Sequence, residues 1–247
     1  MFVQSKHVSC HNFPFSNLLE STISISRHKY LKTVDLTRNY ISSAGDWSTC
    51  PYIISLRLAS NLISNLQDFE CGPLIEVLDF SDNQLTESGD FSRFSRLEDL
   101  NISSNQLTTI ADVKWEKLSR LQTLNLQGNQ LTDLDALAGS LPCLLRLDCK
   151  RNLLQNLPQL VSIVKDLEIL AEFDITENPV QETALLRWQI VRAIPHLKIL
   201  HGSAVTAEDW VQARSALGEL VPAMKMVWVE NVTGVPFKDH RLLSHTN

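Results

Sequence analysis

The chain is poor in the features that announce a chemical trade. Its five cysteines, Cys10, Cys50, Cys71, Cys143 and Cys149, are an odd number, widely spread and without a CxxC pair. That spacing excludes a disulfide framework and a zinc site and points to a reducing compartment. No apolar run approaches the roughly 18 residues that a membrane span needs. The opening MFVQSKHVSC has no apolar centre, so no secretory leader is expected. The first 19 residues carry no acid, which faintly resembles a transit peptide, but they also carry no arginine; mitochondrial import is therefore the minor alternative. A net charge of −6 with both signs present does not fit a polyanion-binding domain. GxSxG, HExxH, P-loop and GxGxxG motifs are all missing, and none of the seven histidines takes an inward-curving position in the frame described below. No catalytic residue, metal site or cofactor is expected, and the chain is read as no enzyme. Asn101-Ile-Ser103 and Asn231-Val-Thr233 match glycosylation triplets and are read as chance.

What is present is a repeat. Leu97, Leu100, Ile102, Asn105 and Leu107 fit neither the helical period nor plain alternation. The same spacing starts at residues 31, 53, 75, 97, 121, 144 and 170, with an Asn at the same offset each time: Asn39, Asn61, Asn83, Asn105, Asn129, Asn152 and Asn178. No single unit can bury its own apolar face, so the units must stack and share one core.

This frame resembles the leucine-rich repeat family, L-x-x-L-x-L-x-x-N-x-L. The resemblance implies an α/β solenoid, with a parallel concave sheet and a convex side of 3₁₀ or short helical segments. Apolar residues at about every third position after the Asn, as in Ile63-Leu66-Phe69, suit a 3₁₀ turn. They resemble the intracellular 22-residue subfamily typified by the phosphatase-1 regulatory subunit. The longer interval over 157–170 suits a true helix. The repeated Asn, as in the family, is expected to bond loop backbone of adjacent units. Residues 178–210 resemble the family's C-terminal cap through Asn178-Pro179, Ile190-Val191, Pro195, Leu197, Leu200, Gly202 and Val205-Thr206, with His201 where the family usually has Asp. Thr206 is a candidate N-cap for a last helix to about Leu220. The chain is thus divided into residues 1–30 (N-terminal cap or degenerate repeat, around Leu18–Ile25), 31–180 (seven repeats), 181–220 (cap) and 221–247 (tail).

The frame also selects the concave side chains. The third x gives Asp35, Arg57, Asp79, Asn101, Asn125, Asp148 and Asp174. With strands about 4.8 Å apart, Arg57 is expected to form an ion ladder with Asp35 and Asp79. The other positions add Lys32 and Arg38, then Glu76, Asp82, Glu98 and Asp99, then a neutral band, then Arg146, Lys150 and Arg151, and finally Glu172 and Glu177. The acidic strip is read either as a solvated face or as a dock for a basic segment of a partner. The basic patch is read as paired with Asp148, Asp174 and Glu177, or as a phosphate or acidic-motif contact. No aromatic falls on these concave positions. Trp47 and Trp115 lie in convex segments, Trp188 and Trp210 in the cap, and Trp228 in the apolar run 224–229, which either packs back on the cap or docks a partner. Family parallels (phosphatase regulation, dynein and axonemal light chains, spliceosomal particles) imply a cytoplasmic, nuclear or cytoskeletal protein partner, with this chain a monomer within a hetero-complex. The alternative is a ribonucleoprotein-associated subunit using residues 146–151. Partner-binding candidates are Arg57, Glu76, Asp79, Asp82, Glu98, Asp99, Arg146, Lys150, Arg151 and Trp228.

Overall fold

The computed structural model describes residues 7–9, 20, 22 and 29–216. Its strands are β1 (His7–Ser9), β2 (Thr33–Asp35), β3 (Ser55–Arg57), β4 (Val77–Asp79), β5 (Asp99–Asn101), β6 (Thr123–Asn125), β7 (Arg146–Asp148), β8 (Glu172–Asp174), β9 (Ile199–Leu200) and β10 (Ser203–Ala204). They form one sheet in chain order, parallel from β1 to β9, with β10 antiparallel to β9. Three residues are too few for a strand to stand alone, and the neighbouring repeats supply the missing partners. The register puts Val34, Leu56, Leu78, Leu100, Leu124, Leu147 and Phe173 in one row. All seven are buried, so the second apolar site of every unit stacks on the next. β1 continues the sheet ahead of the first clear repeat, with Val8 opposite Val34.

The repeated asparagines join the units as expected. Asn105 Oδ1 accepts from the Leu85 N–H of the preceding unit at 2.9 Å. Its Nδ2 donates to the carbonyls of Phe80 at 3.0 Å and Ile102 at 3.1 Å. Asn61, Asn83, Asn129, Asn152 and Asn178 repeat the same acceptor bond to the unit before. Every donor and acceptor in this buried column is thereby satisfied.

The convex side departs from expectation in the early repeats. Among the described residues, 3₁₀ helices occur only at Trp115–Lys117, Asp135–Leu137 and Pro179–Glu182. Earlier units make single turns, such as Phe69 N–H to Leu66 O at 3.1 Å, that do not propagate. Pro51, Pro73 and the left-handed Gly45 and Gly89 break the chain there. Aromatic packing fills the space instead: Phe69 meets Phe80 edge-on at 5.1 Å and Phe94 at 5.7 Å. Trp115 is core, not an exposed anchor; it is fully buried and its Nε1 donates to Ile110 O at 2.9 Å.

The expected helix over 157–170 is α1 (Leu157–Lys165), shorter because Asp166 caps it. Asn156 Oδ1 accepts from Gln159 N–H at its start, and Pro158 sits in its first turn. It buries Leu157, Leu160, Ile163 and Val164. After the last repeat, α2 (Leu186–Ala193) turns Ile190 and Val191 into the core, while Trp188 is only partly buried against it. α3 (Ala207–Ala216) starts at a reciprocal box: Asp209 N–H donates to Thr206 Oγ1 at 3.2 Å and Thr206 N–H to Asp209 Oδ2 at 2.9 Å. Arg187 clamps Asp209 at 2.7 and 2.8 Å, holding its carboxyl down to about 2. His201 and Gly202 are both left-handed, and His201 Nε2 is buried with no hydrogen-bond partner. Burial pushes this imidazole below its ordinary range. The degenerate repeat expected around Leu18–Ile25, the end of the last helix at Leu220 and the 224–229 run lie outside the described residues.

Candidate partner-binding surface

The concave face is where the repeat sets side chains free of the core, and its third-x column has a second task. Asp79 Oδ1 accepts from Ser81 N–H at 3.0 Å and from Ser81 Oγ at 2.6 Å. Asp35 with Thr37, Asn101 with Ser103 and Asp174 with Thr176 do the same, and Asn125 and Asp148 accept from the backbone of Gln127 and Lys150. These are Asx turns that end each strand. The four aspartates are half-buried turn formers as well as charges. The expected ion ladder is absent: register sets Arg57 between Asp35 and Asp79, but no ion pair joins it to either. Each of those carboxylates is already directed to its own turn. The alternation of Asp and Asn in one column also shows that an amide does the turn's work as well as a carboxylate.

The fifth x is left-handed in every unit: Arg38, Ser60, Asp82, Ser104, Gly128, Arg151 and Glu177 have φ between 53° and 68°. A side chain there costs about 1–2 kcal/mol relative to glycine, which only one unit uses. The conformation holds Arg38, Asp82 and Arg151 exposed at the rim of the concave face.

Of the sequence-selected groups, Glu76, Asp79 and Asp82 fall on or beside β4, and Glu98 and Asp99 on or beside β5, the next strand. The structure brings these five into one strip. None forms an ion pair with a described residue. Burial, and then the Asp79 charge, raise the Asp99 carboxyl above its ordinary range, against the pull of Arg57 and Arg146. A carboxyl that holds its proton more tightly when folded makes stability fall as pH rises through the interval between the two pKa values. Ionised Asp99 is thus a net cost to the fold at neutral pH. Asp99→Asn is expected to raise the melting temperature near pH 7, with the gain vanishing below about pH 4, where the unfolded carboxyl is protonated too. A melting scan across pH checks this; an equal gain at every pH would mean that the charge is not the cause.

The basic patch is organised differently. Arg146 pairs with Glu172 at 3.1 Å, Lys150 with Glu177 at 3.0 Å and Arg151 with Glu177 at 2.6 Å. The partners are the two glutamates; Asp148 and Asp174 serve their turns. These are exposed pairs, each worth about 0–1 kcal/mol, so they neutralise the patch more than they stabilise it. Trp228 lies outside the described residues. The reading of the concave face missed the tyrosines. Tyr30, Tyr40 and Tyr52 are all exposed, at the edges of the face and not on it, because they occupy the residue before the first Leu and the sixth x of the frame. Extending the frame by one residue at each side would have exposed them.

Among the described residues, no group of three or more His, Cys, Asp or Glu is placed to hold a metal, and no helix is long and apolar enough to cross a membrane. A groove of about 300 Å³ opens at the edge, lined by Glu98, Arg120, Gln122, Cys143, Leu145 and Ile169.

The architecture is that of a leucine-rich repeat solenoid. Residues 86–131 match the leucine rich repeat model, and 119–162 match the model for two leucine rich repeat copies. Residues 86–162 thus carry leucine-rich repeats, and the same frame runs on both sides of them. Similar solved structures include internalin C2 of Listeria monocytogenes (TM-score 0.63, 23% identity, 79% of each chain). Another is internalin InlF of the same organism (TM-score 0.62, 18% identity, 76% of this chain), of which the alignment spans only 52% of the length. A third is the Drosophila melanogaster SNF/U2A′ complex (TM-score 0.50, 21% identity, 60% of this chain and 83% of that one). At these identities the likeness is one of fold. No curated protein matches the sequence.

Proposed function

We propose that this chain is a non-catalytic protein-interaction platform, a regulatory or scaffolding subunit of a larger intracellular assembly. It takes a lysine- or arginine-bearing segment of a protein partner on the strip Glu76, Asp79, Asp82, Glu98 and Asp99. Leucine-rich repeat proteins generally mediate protein–protein interaction, which sets the class. One observation carries the choice of strip. Its five carboxylates have no cation paired to them among the described residues, whereas Glu172 and Glu177, three repeats beyond the strip, are neutralised from within. Unpaired charge of one sign steers an oppositely charged partner. Cys50, Cys71, Cys143 and Cys149 are thiols, which supports a reducing, cytoplasmic setting, with nuclear or cytoskeletal assemblies as variants of it.

The ribonucleoprotein reading draws on the 146–151 patch and on the fold shared with the chain of the SNF/U2A′ complex. It is the weaker reading, because each cation of the patch is held by a glutamate.

The test must respect the turns. Asp79→Lys would remove the acceptor for Ser81 and damage the strand end, so loss of binding would be ambiguous. Asp79→Asn with Asp99→Asn removes two charges and keeps the turn, as Asn101 and Asn125 already do next door. The double variant is expected to melt at or above the wild-type temperature and to bind a fluorescent oligolysine peptide about tenfold more weakly or worse. In a pull-down it should lose the stoichiometric protein partner. Retention of both peptide and partner would reject the strip.

A further inference from the structure

We propose that the first two repeats form a second subsite of opposite character for the same partner, one that takes an acidic and apolar block adjoining the basic block. The proposal rests on the acidic-strip reading and adds the order of charges along the partner. Its basis is a surface that the frame alone does not reveal. All three tyrosines of the chain flank these two repeats. Tyr30 and Tyr52 directly precede Leu31 and Ile53, at the entry edge of β2 and β3. Their rings lie 6.2 Å apart and within 11° of parallel, with exposures of 80% and 48%. At the exit edge, exposed Tyr40 and Leu62 occupy successive sixth-x positions, where the Leu62 N–H donates to Ile41 O at 2.9 Å. Beside the acidic strip the exit edge turns polar, with Gln84 and Gln106, and the entry edge passes from Leu74 to Arg96 with no aromatic.

Between these apolar edges stand Lys32, Arg38 and Arg57, none of them in an ion pair with a described residue. Exposed aromatics with unpaired cations are what binding hot spots are made of. They favour carboxylates interspersed with apolar side chains. The sign of the face then reverses at β4. Three strand spacings, about 14 Å, separate β2 from β5. An extended segment covers that distance in about four residues, so one short stretch of partner can meet both subsites. A nucleic acid strand fits less well, because its phosphates would meet Glu76, Asp79 and Asp82 within one or two nucleotides. The chain's own first 19 residues carry no acid and do not match the subsite.

The experiment measures binding of the full chain by fluorescence anisotropy. The probes are an oligolysine peptide, the same peptide with a Glu/Leu/Phe block joined at either end, and oligouridylate. The expected result is that one of the two joined peptides binds about tenfold or more tightly than oligolysine alone, and that Tyr30→Ala with Tyr52→Ala erases the gain. That variant should leave oligolysine binding and the melting temperature unchanged, because both rings are exposed. Arg38→Glu with Arg57→Glu should abolish the gain independently. Equal binding of all three peptides, or a gain that survives both variants, overturns the proposal. So does oligouridylate binding more tightly than the joined peptides through the same tyrosines. The two readings separate cleanly. If oligolysine fails to bind while the joined block binds through the tyrosines, the acidic strip falls and this subsite stands. If oligolysine binds through Asp79 and Asp99 with no gain from the block, the strip stands and this subsite falls.

Discussion

Asn105→Ala is expected to lower the unfolding free energy by about 2–6 kcal/mol, although the side chain is small and lies far from any end of the chain. The alanine leaves the Leu85 N–H without its 2.9 Å acceptor and takes one of two asparagine donors from each of the carbonyls of Phe80 and Ile102, which keep Asn83 and Asn129. Asn105 is buried, so water does not replace those bonds freely. The orphaned N–H costs about 1–3 kcal/mol and each of the two lost carbonyl bonds about 0.5–1.5 kcal/mol. The control is Gln106→Ala, one residue on and exposed, which should stay within about 0.5 kcal/mol. In a stack held by nearest neighbours, a broken junction also weakens cooperativity between the two sides. Denaturation of Asn105→Ala should therefore broaden, and the Leu85 amide should exchange faster than in wild type. A sharp transition at the wild-type midpoint would mean that the asparagine column does not couple the repeats.

Leu124→Ala should cost about 2–5 kcal/mol for a different reason. Leu124 is fully buried in β6, opposite Leu100 on β5 and Leu147 on β7. Truncation opens a cavity between three stacked units, and the strand backbones, pinned by their ladders, cannot close it. Thr123→Ala, the adjacent residue pointing to the concave face, should change stability far less. Thermal or chemical denaturation of the pair measures the contrast. Equal melting of Leu124→Ala and wild type would place Leu124 outside the core row and displace the whole frame.

The two expectations differ in how much of their basis could be read before folding. The row containing Leu124 follows from spacing alone, since seven in-frame copies admit one way of burying the apolar sites together. The bonds of the Asn column followed from the family resemblance, and the structure supplied their partners atom by atom. The acidic strip was legible as charges at numbered positions, but not as chemistry. Asp79 and Asp99 stand at the third and second x of neighbouring units, and the spacing alone does not say what either carboxylate touches. One ends a strand by accepting from Ser81, while the other sits half-buried with its proton held more tightly by its surroundings. The expected ladder through Arg57 failed because its acceptors were committed to a residue two places along their own chain. The basic patch likewise found Glu172, which lies opposite Arg146 in the register, and the expected Glu177, but not the two aspartates committed to turns.

By itself, then, the sequence determined the period, the core row and the parallel sheet, because each follows from a spacing repeated often enough to exclude other burial patterns. Only the tertiary structure decided which concave charges are turn formers, which are neutralised by the next repeat and which stand unpaired, and it alone set Tyr30 and Tyr52 as exposed, near-parallel rings. Burial is a property of the repeat and recurs with it. The state of a charge depends on the few atoms within hydrogen-bond reach, and those come from neighbouring units whose residues at these positions the repeat leaves free to vary.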